Sequence, residues 1–335
     1  MTDEERASRF RQQVERAGEE ALSKGITTFH DAGTGFRDIR RLEEMAREDE
    51  LPVRLYVMVR GESDRSLEEE LGDYRLEGVG DGFLTVRAVK SQIDGALGTH
   101  GAWLLEPYAD QPERTGLPQR DPDDLRRTAE IVRDHGFQLN THAIGDRGNR
   151  EVLDIYEDVL GETEDHRWRI EHAQHLHPDD TPRFGELGVV ASMQGVHATS
   201  DGPWVKPRIG TERARTGAYA WRAVLDSGAV ICNGTDAPVE DVDPLASYRA
   251  SVTRLMADGE AFFPEQRMSR QEALESYTRA CTYASFQEDR VGTIAPGKWA
   301  DLVVLSDNPL TVPDEGLEGL AVEHTILGRE IRYSG

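Results

Sequence analysis

The chain is poor in cysteine and lysine and contains no long apolar run. Its two cysteines, Cys232 and Cys281, lie far apart in the sequence and match no zinc-binding or redox spacing, so we expect two buried thiols. No apolar stretch approaches the ~20 residues that a membrane-spanning helix needs, and residues 1–17 are too charged for a signal peptide. These absences predict a cytoplasmic protein without a membrane partner.

Acidic residues far outnumber basic ones. The 335 residues include 63 Asp and Glu against 39 Lys and Arg, for a net charge of −24, and only four of the basic residues are lysine. A field this negative repels nucleic acid and keeps a protein soluble in concentrated salt. The lysine scarcity is unexplained in an ordinary acidic protein, so the composition indicates a halophilic protein with no nucleic-acid partner.

Short apolar segments alternate with helical stretches along most of the chain. Seven segments are predicted strands: residues 26–29, 53–59, 83–89, 138–141, 168–171, 189–194 and 230–233. This alternation predicts an α/β fold with a parallel sheet, and polar residues follow one strand after another, as in a TIM-type (β/α)8 barrel. A doubly wound open sheet is the alternative, but no Gly-rich phosphate turn accompanies it.

The last fifty residues change character. Residues 291–305 and 323–333 are short β runs separated by Gly and Pro turns. We therefore predict a barrel over residues 1–288 and part of a small β domain over residues 289–335.

Four residues suited to metal binding end four of the predicted strands: Lys90, His142, His172 and Asp236. Imidazole nitrogen and carboxylate oxygen are common zinc ligands. A lysine binds metal only as a carbamate, and burial lowers its pKa and exposes the neutral amine that reacts with CO2. Asp236 could also take a proton from an attacking water. The four residues together predict a divalent metal site, with zinc as the expected ion.

Each of these residues also has an ordinary explanation when considered alone. A strand-end histidine is often a hydrogen-bonded rim residue, and a strand-end aspartate often caps the next helix. His30 also follows a predicted strand and stays open as an alternative ligand. The pair His175 and His177 precedes a helix that starts at Pro178, and we interpret it as a loop.

Seven segments resemble one family of enzymes. They are GITTFHDAG (25–33), VKSQIDGALGTHGAWLLEPYAD (89–110), THAIGDRGNREVLDIYE (141–157), RIEHAQHLHPDD (169–180), SMQGVHATSD (192–201), NGTDAPVEDVDPL (233–245) and VGTIAPGKWADLVVLSDNPL (291–310). Together they resemble the amidohydrolase superfamily, specifically the amidohydrolase family 3 branch that includes N-substituted formamide deformylase. The resemblance implies a metal-dependent hydrolase barrel with a small β-sandwich domain. It also implies hydrolysis of a non-peptide C–N bond, in a small-molecule amide or formamide, by metal-activated water.

The resemblance implies a role for each candidate residue. The implied metal ligands are Lys90 as a carboxylated lysine, His142, His172 and Asp236. Asp236 is also the implied catalytic base, and His197 falls where the family has a pocket histidine that polarises the substrate carbonyl. Asp94, His197 and Trp204 are the expected substrate-binding residues.

The family pattern opens with a β segment and a barrel strand ending in His-x-His, which this chain does not show. We therefore expect a barrel incomplete at its N-terminus that holds one metal ion, where the complete family site holds two. A homo-oligomer or a complementing N-terminal segment would close the open edges. A truncated or catalytically incomplete subunit with an assembly role is the alternative function. A third possible function is that of a different hydrolase with the same barrel fold, such as a deaminase or a cyclic-amide hydrolase.

Overall fold

The computed structural model describes residues 2–335. The strands of this part of the chain are β1 (Thr28–Thr34), β2 (Arg54–Val59), β3 (Leu76–Gly78), β4 (Leu84–Gln92), β5 (Gln138–Ala143), β6 (Arg169–His172), β7 (Val190–Gln194), β8 (Ile231–Gly234), β9 (Leu302–Leu305), β10 (Val322–Leu327) and β11 (Glu330–Ser334). The α-helices are α1 (Asp3–Ser23), α2 (Phe36–Arg47), α3 (Asp64–Glu70), α4 (Val79–Gly82), α5 (Pro122–Asp134), α6 (Asp146–Leu160), α7 (Thr181–Leu187), α8 (His197–Ser200), α9 (Gly202–Ile209), α10 (Thr211–Gly217), α11 (Trp221–Asp226), α12 (Pro244–Thr253), α13 (Arg270–Tyr277) and α14 (Arg279–Ala284).

Seven parallel strands form the main sheet in the order β1-β2-β4-β5-β6-β7-β8, and the short β3 pairs antiparallel with β4. Tyr56 on β2 lies against Arg169 on β6, with the guanidinium 5.2 Å from the ring centroid. Two strands separate β2 from β6, so this contact requires a curved sheet. The predicted α/β fold with a parallel sheet is confirmed as a half-barrel. Its end strands, β1 and β8, do not pair with each other within residues 2–335.

The two faces of the sheet differ in polarity because successive strand residues point to opposite sides. In β5, Leu139 belongs to the hydrophobic core under the helices. Its neighbour Asn140 turns inward and donates a hydrogen bond to Met58 Sδ on β2 at 3.2 Å. Thr141 turns outward again, where its hydroxyl accepts a hydrogen bond from Tyr156 of α6 at 2.8 Å. His142 therefore faces the concave side, at the carboxyl end of the strand.

Local sequence signals explain where the covering helices begin. Helix α5 starts with Pro122 in its first turn, after Asp121, whose side chain accepts a backbone N–H of that turn. Leu125, Ala129 and Val132 are buried along one side of the helix. Their spacing of four and three residues directs one apolar stripe onto the sheet.

The C-terminal strands form a separate antiparallel sheet in the order β11-β10-β9. Thr325 on β10 donates its hydroxyl to the Leu22 carbonyl of α1 at 2.6 Å, and Tyr333 packs against the cluster that includes Leu22 and Val53. The predicted β segment at 291–305 is a strand only from Leu302, because the preceding residues form turns. The small C-terminal sheet is present as predicted, whereas the domain boundary at residue 288 stays a prediction.

Three local predictions are wrong. Strand β1 continues to Thr34, so His30 lies inside the strand, and β4 continues to Gln92, two residues past Lys90. In both strands the apolar residues end before the backbone hydrogen bonds to the neighbouring strands do. The sequence therefore did not indicate where either strand ends. The sequence also predicts a loop from the end of the strand at 189–194 to about residue 219, and residues 195–219 instead contain the short helices α8, α9 and α10.

The two cysteines meet in space. Cys232 on β8 and Cys281 on α14 have their sulfur atoms 2.7 Å apart. Cys232 is buried as predicted, whereas Cys281 is only partly buried.

No helix within residues 2–335 combines the length and the apolar character needed to cross a membrane.

Candidate active site

The carboxyl ends of the parallel strands bring together the residues that the sequence singled out. Lys90 comes from β4, His142 from β5 and His172 from β6, while Asp236 follows β8 by two residues. His197 is the first residue of α8 and joins them from the loop after β7. We refer to these five residues as the rim cluster.

The backbone at two strand ends is unusual. His172 has φ of 74° and Asp236 has φ of 58°, in the left-handed region that residues with a Cβ rarely adopt. Such conformations cost free energy and persist where surrounding structure enforces them, often at functional sites. At His172 the left-handed turn interrupts strand alternation, and the ring lies beside both His142 and His197.

Distances within the cluster are short. The rings of His142 and His172 lie edge to face with centroids 4.5 Å apart, and those of His172 and His197 lie nearly parallel at 6.2 Å. His197 Nε2 is 3.9 Å from Asp236 Oδ2. One ligand atom from each of His172, His197 and Asp236 can be chosen so that all three lie within 4.8 Å of one another. Three such atoms could contact a single cation.

Burial lowers the pKa of all three histidines of the cluster, which favours their neutral form. Burial lowers the pKa of His142 to about 3, helped by the charges of Lys90 and Arg60. Burial also holds the pKa of His172 well below its usual value, and it lowers that of His197 against the opposing charge of Glu240. A neutral imidazole keeps a lone pair on one nitrogen, which is the form that binds metals.

Several polar atoms of this region have no hydrogen-bond partner within residues 2–335. They are Nε2 of His142, Nε2 of His197 and Oε1 of Glu171, all buried. Leaving a buried polar atom unpaired is costly, so native proteins rarely do it without a ligand or a functional reason. Nitrogen and oxygen donors of this kind suit zinc and similar divalent ions, so the residues present fit a metal site.

Lys90 is a partly buried amine. Burial lowers the pKa of Lys90 to about 8, with Glu171 and Asp236 opposing the decrease and Arg60 adding to it. At that pKa about a tenth of the amine is neutral at pH 7. Its Nζ donates a hydrogen bond to the Ser91 carbonyl at 3.2 Å.

Asp236 is a weaker acid than usual. Burial raises the pKa of Asp236 to about 6, the charge of Lys90 opposes this rise, and Glu171 and Glu240 add to it. The carboxylate is therefore mostly ionised at pH 7 yet basic enough to accept a proton.

The predicted substrate-binding residues lie in different surroundings. The side chain of Asp94 is fully enclosed and accepts backbone N–H groups of Trp103, Ile144 and Gly145 at 2.8–2.9 Å. Asp94 Oδ1 also lies 3.7 Å from His142 Nε2. The role of Asp94 in substrate binding stays a prediction.

Trp204 lies in α9 rather than in a loop. It is partly buried against the hydrophobic core and packs beside Gly98 of the long segment after β4. Its role in substrate binding stays a prediction.

The other histidines considered as ligands lie outside the rim cluster. His30 Nδ1 is 3.2 Å from Arg169 Nη1, and burial together with that charge holds the pKa of His30 well below its usual value. A permanent cation at this distance disfavours a metal ion there. His175 is buried beside Gln174, and His177 Nδ1 accepts the backbone N–H of Asp179.

Sequence reasoning missed three polar residues around the cluster. Glu171 precedes His172 and is close enough to raise the pKa of both Lys90 and Asp236. Gln194 Oε1 lies 2.8 Å from His172 Nδ1, and Glu240 accepts the Ser200 hydroxyl at 2.6 Å. A polar residue closing an apolar strand was the available signal for Glu171 and Gln194. We found no such signal for Glu240.

Known proteins of similar sequence and structure match most of the chain. It is 36% identical over 323 residues to Protein LONG AFTER FAR-RED 3 of Arabidopsis thaliana, covering 91% of this chain and 54% of that protein. It is 27% identical over 199 residues to N-substituted formamide deformylase of Arthrobacter pascens, covering 59% of this chain and 37% of the deformylase. The crystal structure of an uncharacterised metal-dependent hydrolase from Pyrococcus horikoshii matches with a TM-score of 0.80 at 28% identity, covering 92% of this chain and 62% of that one.

The chain thus spans little more than half the length of the Arabidopsis relative. The sequence model of the amidohydrolase family matches residues 2–333. The chain belongs to the amidohydrolase family.

Proposed function

We propose that this protein is a metal-dependent hydrolase that cleaves a non-peptide C–N bond of a small-molecule amide or formamide. The observation that carries the proposal is the rim cluster. Three imidazoles of lowered pKa, a partly buried amine and a carboxylate of raised pKa converge there, and two of the imidazoles have a buried nitrogen without a partner among the described residues. Family membership supports hydrolysis, and the similarity to a formamide deformylase supports the substrate class.

Lys90, His142, His172 and Asp236 are the proposed metal ligands, and zinc is the proposed ion. The closeness of His197 to His172 and Asp236 makes it a further candidate ligand, besides its proposed contact with the substrate carbonyl. Lys90 would bind as a carbamate. In that reaction the neutral amine adds to CO2 and releases one proton, and a pKa of about 8 keeps some amine available for it. We expect one ion in this chain.

The proposed chemistry divides between the ion and the side chains. A bound zinc ion supplies Lewis acidity, which makes a water more acidic and polarises a carbonyl. Asp236 accepts the proton of the attacking water and then donates it to the leaving nitrogen, as its pKa of about 6 permits. The N–H of neutral His197 donates a hydrogen bond to the substrate carbonyl oxygen.

The complete catalytic unit in this proposal is an eight-stranded barrel. Strands β1 and β8 end the described sheet, and a second copy of the chain or a complementing N-terminal segment would cover them. The alternative, an incomplete subunit with an assembly role, predicts binding of a partner without catalysis. Cytoplasmic location and adaptation to salt remain part of the proposal on the basis of composition.

The test combines metal binding with product analysis. The purified chain is stripped with a chelator, titrated with zinc against a chromophoric competitor, and incubated with N-substituted formamides and acetamides. We expect one zinc per chain and release of a primary amine, and we expect amine release to be lost in Asp236→Asn. Asp179→Asn, at an exposed carboxylate, is the matched control. Two tightly held ions per chain would contradict the single-ion assignment. Zinc binding without amine release would favour the assembly role, and release of ammonia alone would indicate a deaminase.

A further inference from the structure

A buried amide holds the central histidine of the rim cluster. Gln194 is the last residue of β7 and is buried, and its Oε1 lies 2.8 Å from Nδ1 of His172. The other end of the same amide, Nε2, donates to the Ser192 carbonyl at 3.3 Å. Both ends of the Gln194 amide are therefore engaged.

The two contacts together determine which nitrogen of His172 carries its proton. A backbone carbonyl can only accept, so the amide nitrogen of Gln194 must face Ser192. Its oxygen then faces His172, and Nδ1 of the neutral ring must be the donor. Nε2 consequently carries the lone pair. The reversed amide would set two acceptors against each other at Ser192 and leave two N–H groups facing each other, or an unprotonated Nδ1, at His172.

We infer that Gln194 is a positioning residue that locks His172 in its Nδ1–H tautomer, so that the Nε2 lone pair is available to a metal ion. This inference rests on the proposed function for its metal-binding consequence. Partners that orient a metal-binding histidine in this way typically contribute about 10–100-fold to metal affinity.

The experiment compares Gln194→Met, which removes the acceptor at similar size, with Gln194→Glu, which keeps it. Gln271→Met is the matched control, because Gln271 is exposed and its side chain donates to Glu275 of its own helix. The first measurement is the histidine tautomer in metal-free, 15N-histidine-labelled protein, with the His172 signal assigned by its loss in His172→Asn. The second measurement is zinc affinity by competition.

We expect wild type and Gln194→Glu to show the Nδ1–H tautomer, and Gln194→Met to lose it and bind zinc about 10–100-fold more weakly. An Nε2–H tautomer in the wild type would overturn the inference. Unchanged zinc affinity in Gln194→Met would overturn it as well. A wild type that binds no zinc would instead contradict the proposed function, and the tautomer measurement would still decide the role of Gln194.

A second inference rests on the thiol pair and does not depend on the rim cluster. Sγ of Cys232 and Sγ of Cys281 are 2.7 Å apart, and no third cysteine exists in the chain to compete. Cys281 is only partly buried as a residue. The Cys281 thiol faces the carbonyl of Ser276 at 3.1 Å, and the neighbouring Cys232, together with burial, raises its pKa. A protonated thiol reacts slowly, which favours the reduced pair until a strong oxidant is present.

We propose that Cys232 and Cys281 form an internal disulfide when the protein meets a peroxide. Two thiols and one hydrogen peroxide yield one disulfide and two waters, so the sulfurs are oxidised and the peroxide oxygens reduced. The new bond would tie β8, which leads into Asp236, to α14. It would close a loop of 50 residues, counting from Cys232 to Cys281.

Mass spectrometry after peroxide treatment tests this proposal. The protein is denatured with excess maleimide, and each free thiol then adds one label. We expect the wild type to lose two mass units and take no label, with reversal by dithiothreitol, while Cys281→Ser takes one label. The thermal unfolding temperature of the wild type should rise on oxidation, whereas that of Cys281→Ser should not. Two labels on the treated wild type, or added oxygen on a single cysteine, would overturn the proposal.

Discussion

Two buried polar regions of this molecule differ in how completely their hydrogen-bonding groups are paired. Where β2 begins, Arg54 donates from Nε to Asp301 Oδ2 at 2.6 Å and from Nη1 to the Asp81 carbonyl at 2.9 Å. Its guanidinium lies 3.9 Å from the ring centroid of Trp299 and 4.7 Å from that of Phe83. This arrangement, which we call the Arg54 junction, joins the half-barrel to the C-terminal segment with each charge paired.

In the rim cluster, by contrast, some buried polar atoms have no partner among the described residues. His142 and His197 each keep a buried nitrogen without a partner among the described residues, and His172 and Asp236 hold left-handed backbones. Paired burial stabilises a fold, whereas unpaired burial costs free energy that a bound ligand can offset. Burial of a polar side chain is therefore not itself a sign of function. An unmet hydrogen-bonding requirement distinguishes the rim cluster from the junction.

The largest expected effect comes from breaking the junction. Arg54→Met leaves Asp301 buried without its counter-charge, and removing one partner of a buried ion pair typically costs about 3–5 kcal/mol. Urea denaturation of the metal-free protein measures this loss. Arg65→Met removes a pair that is largely exposed to solvent and should change stability by less than about 1 kcal/mol. Equal effects of the two variants would contradict the distinction between the regions.

Zinc binding at the rim cluster should raise the free energy of unfolding by the same amount whether or not the Arg54 junction is intact. At free zinc 100-fold above the dissociation constant, one bound ion raises the free energy of unfolding by about 2.7 kcal/mol. We expect this gain in wild type and in Arg54→Met, and we expect it to disappear in His172→Asn. Thermal or urea unfolding with and without zinc measures it. The same zinc gain in His172→Asn would remove His172 from the set of ligands.

An intermediate case is His175, with one ring nitrogen beside Gln174 and the other without a partner among the described residues. Burial lowers the pKa of His175 to about 3, so the unfolded chain, near 6.5, takes up its proton first. Stability is therefore lost as pH falls below 6.5, by about 1.4 kcal/mol per pH unit from this residue. Denaturation at pH 6 and pH 5 should show a smaller loss in His175→Asn than in wild type. An identical loss would mean that this histidine is protonated in the folded protein.

The smallest expected effect is a gain in stability at the rim cluster itself. His142→Leu removes a partly buried ring whose buried Nε2 has no hydrogen-bond partner among the described residues. Relief of that penalty should stabilise the metal-free protein by about 1 kcal/mol. Zinc affinity should fall at the same time. Urea denaturation and zinc competition measure the two effects, and a loss of metal-free stability would show that His142 supports the fold.

Much of the parallel sheet could be predicted because its signals are local. Apolar segments of strand length alternate with helical stretches, and a buried strand such as β2 is nearly continuous in apolar residues after Arg54. Lys90, His142, His172 and Asp236 were identifiable because parallel strands end at one edge. The ends of β1 and β4 were not identifiable, since Asp31 and Ser91 are polar although their backbones pair with neighbouring strands.

The amino-acid sequence by itself determined the alternation of strands and helices, the negative charge, and the polar residues near the carboxyl ends of four strands. These depend on neighbours along the chain. Tertiary structure alone decided that His197 approaches Asp236, that Gln194 orients His172, that Asp94 is enclosed by backbone N–H groups, and that the two cysteines touch. Such contacts depend on how the sheet curves and where the loops cross it, and the physical cause of that curvature is packing between distant residues.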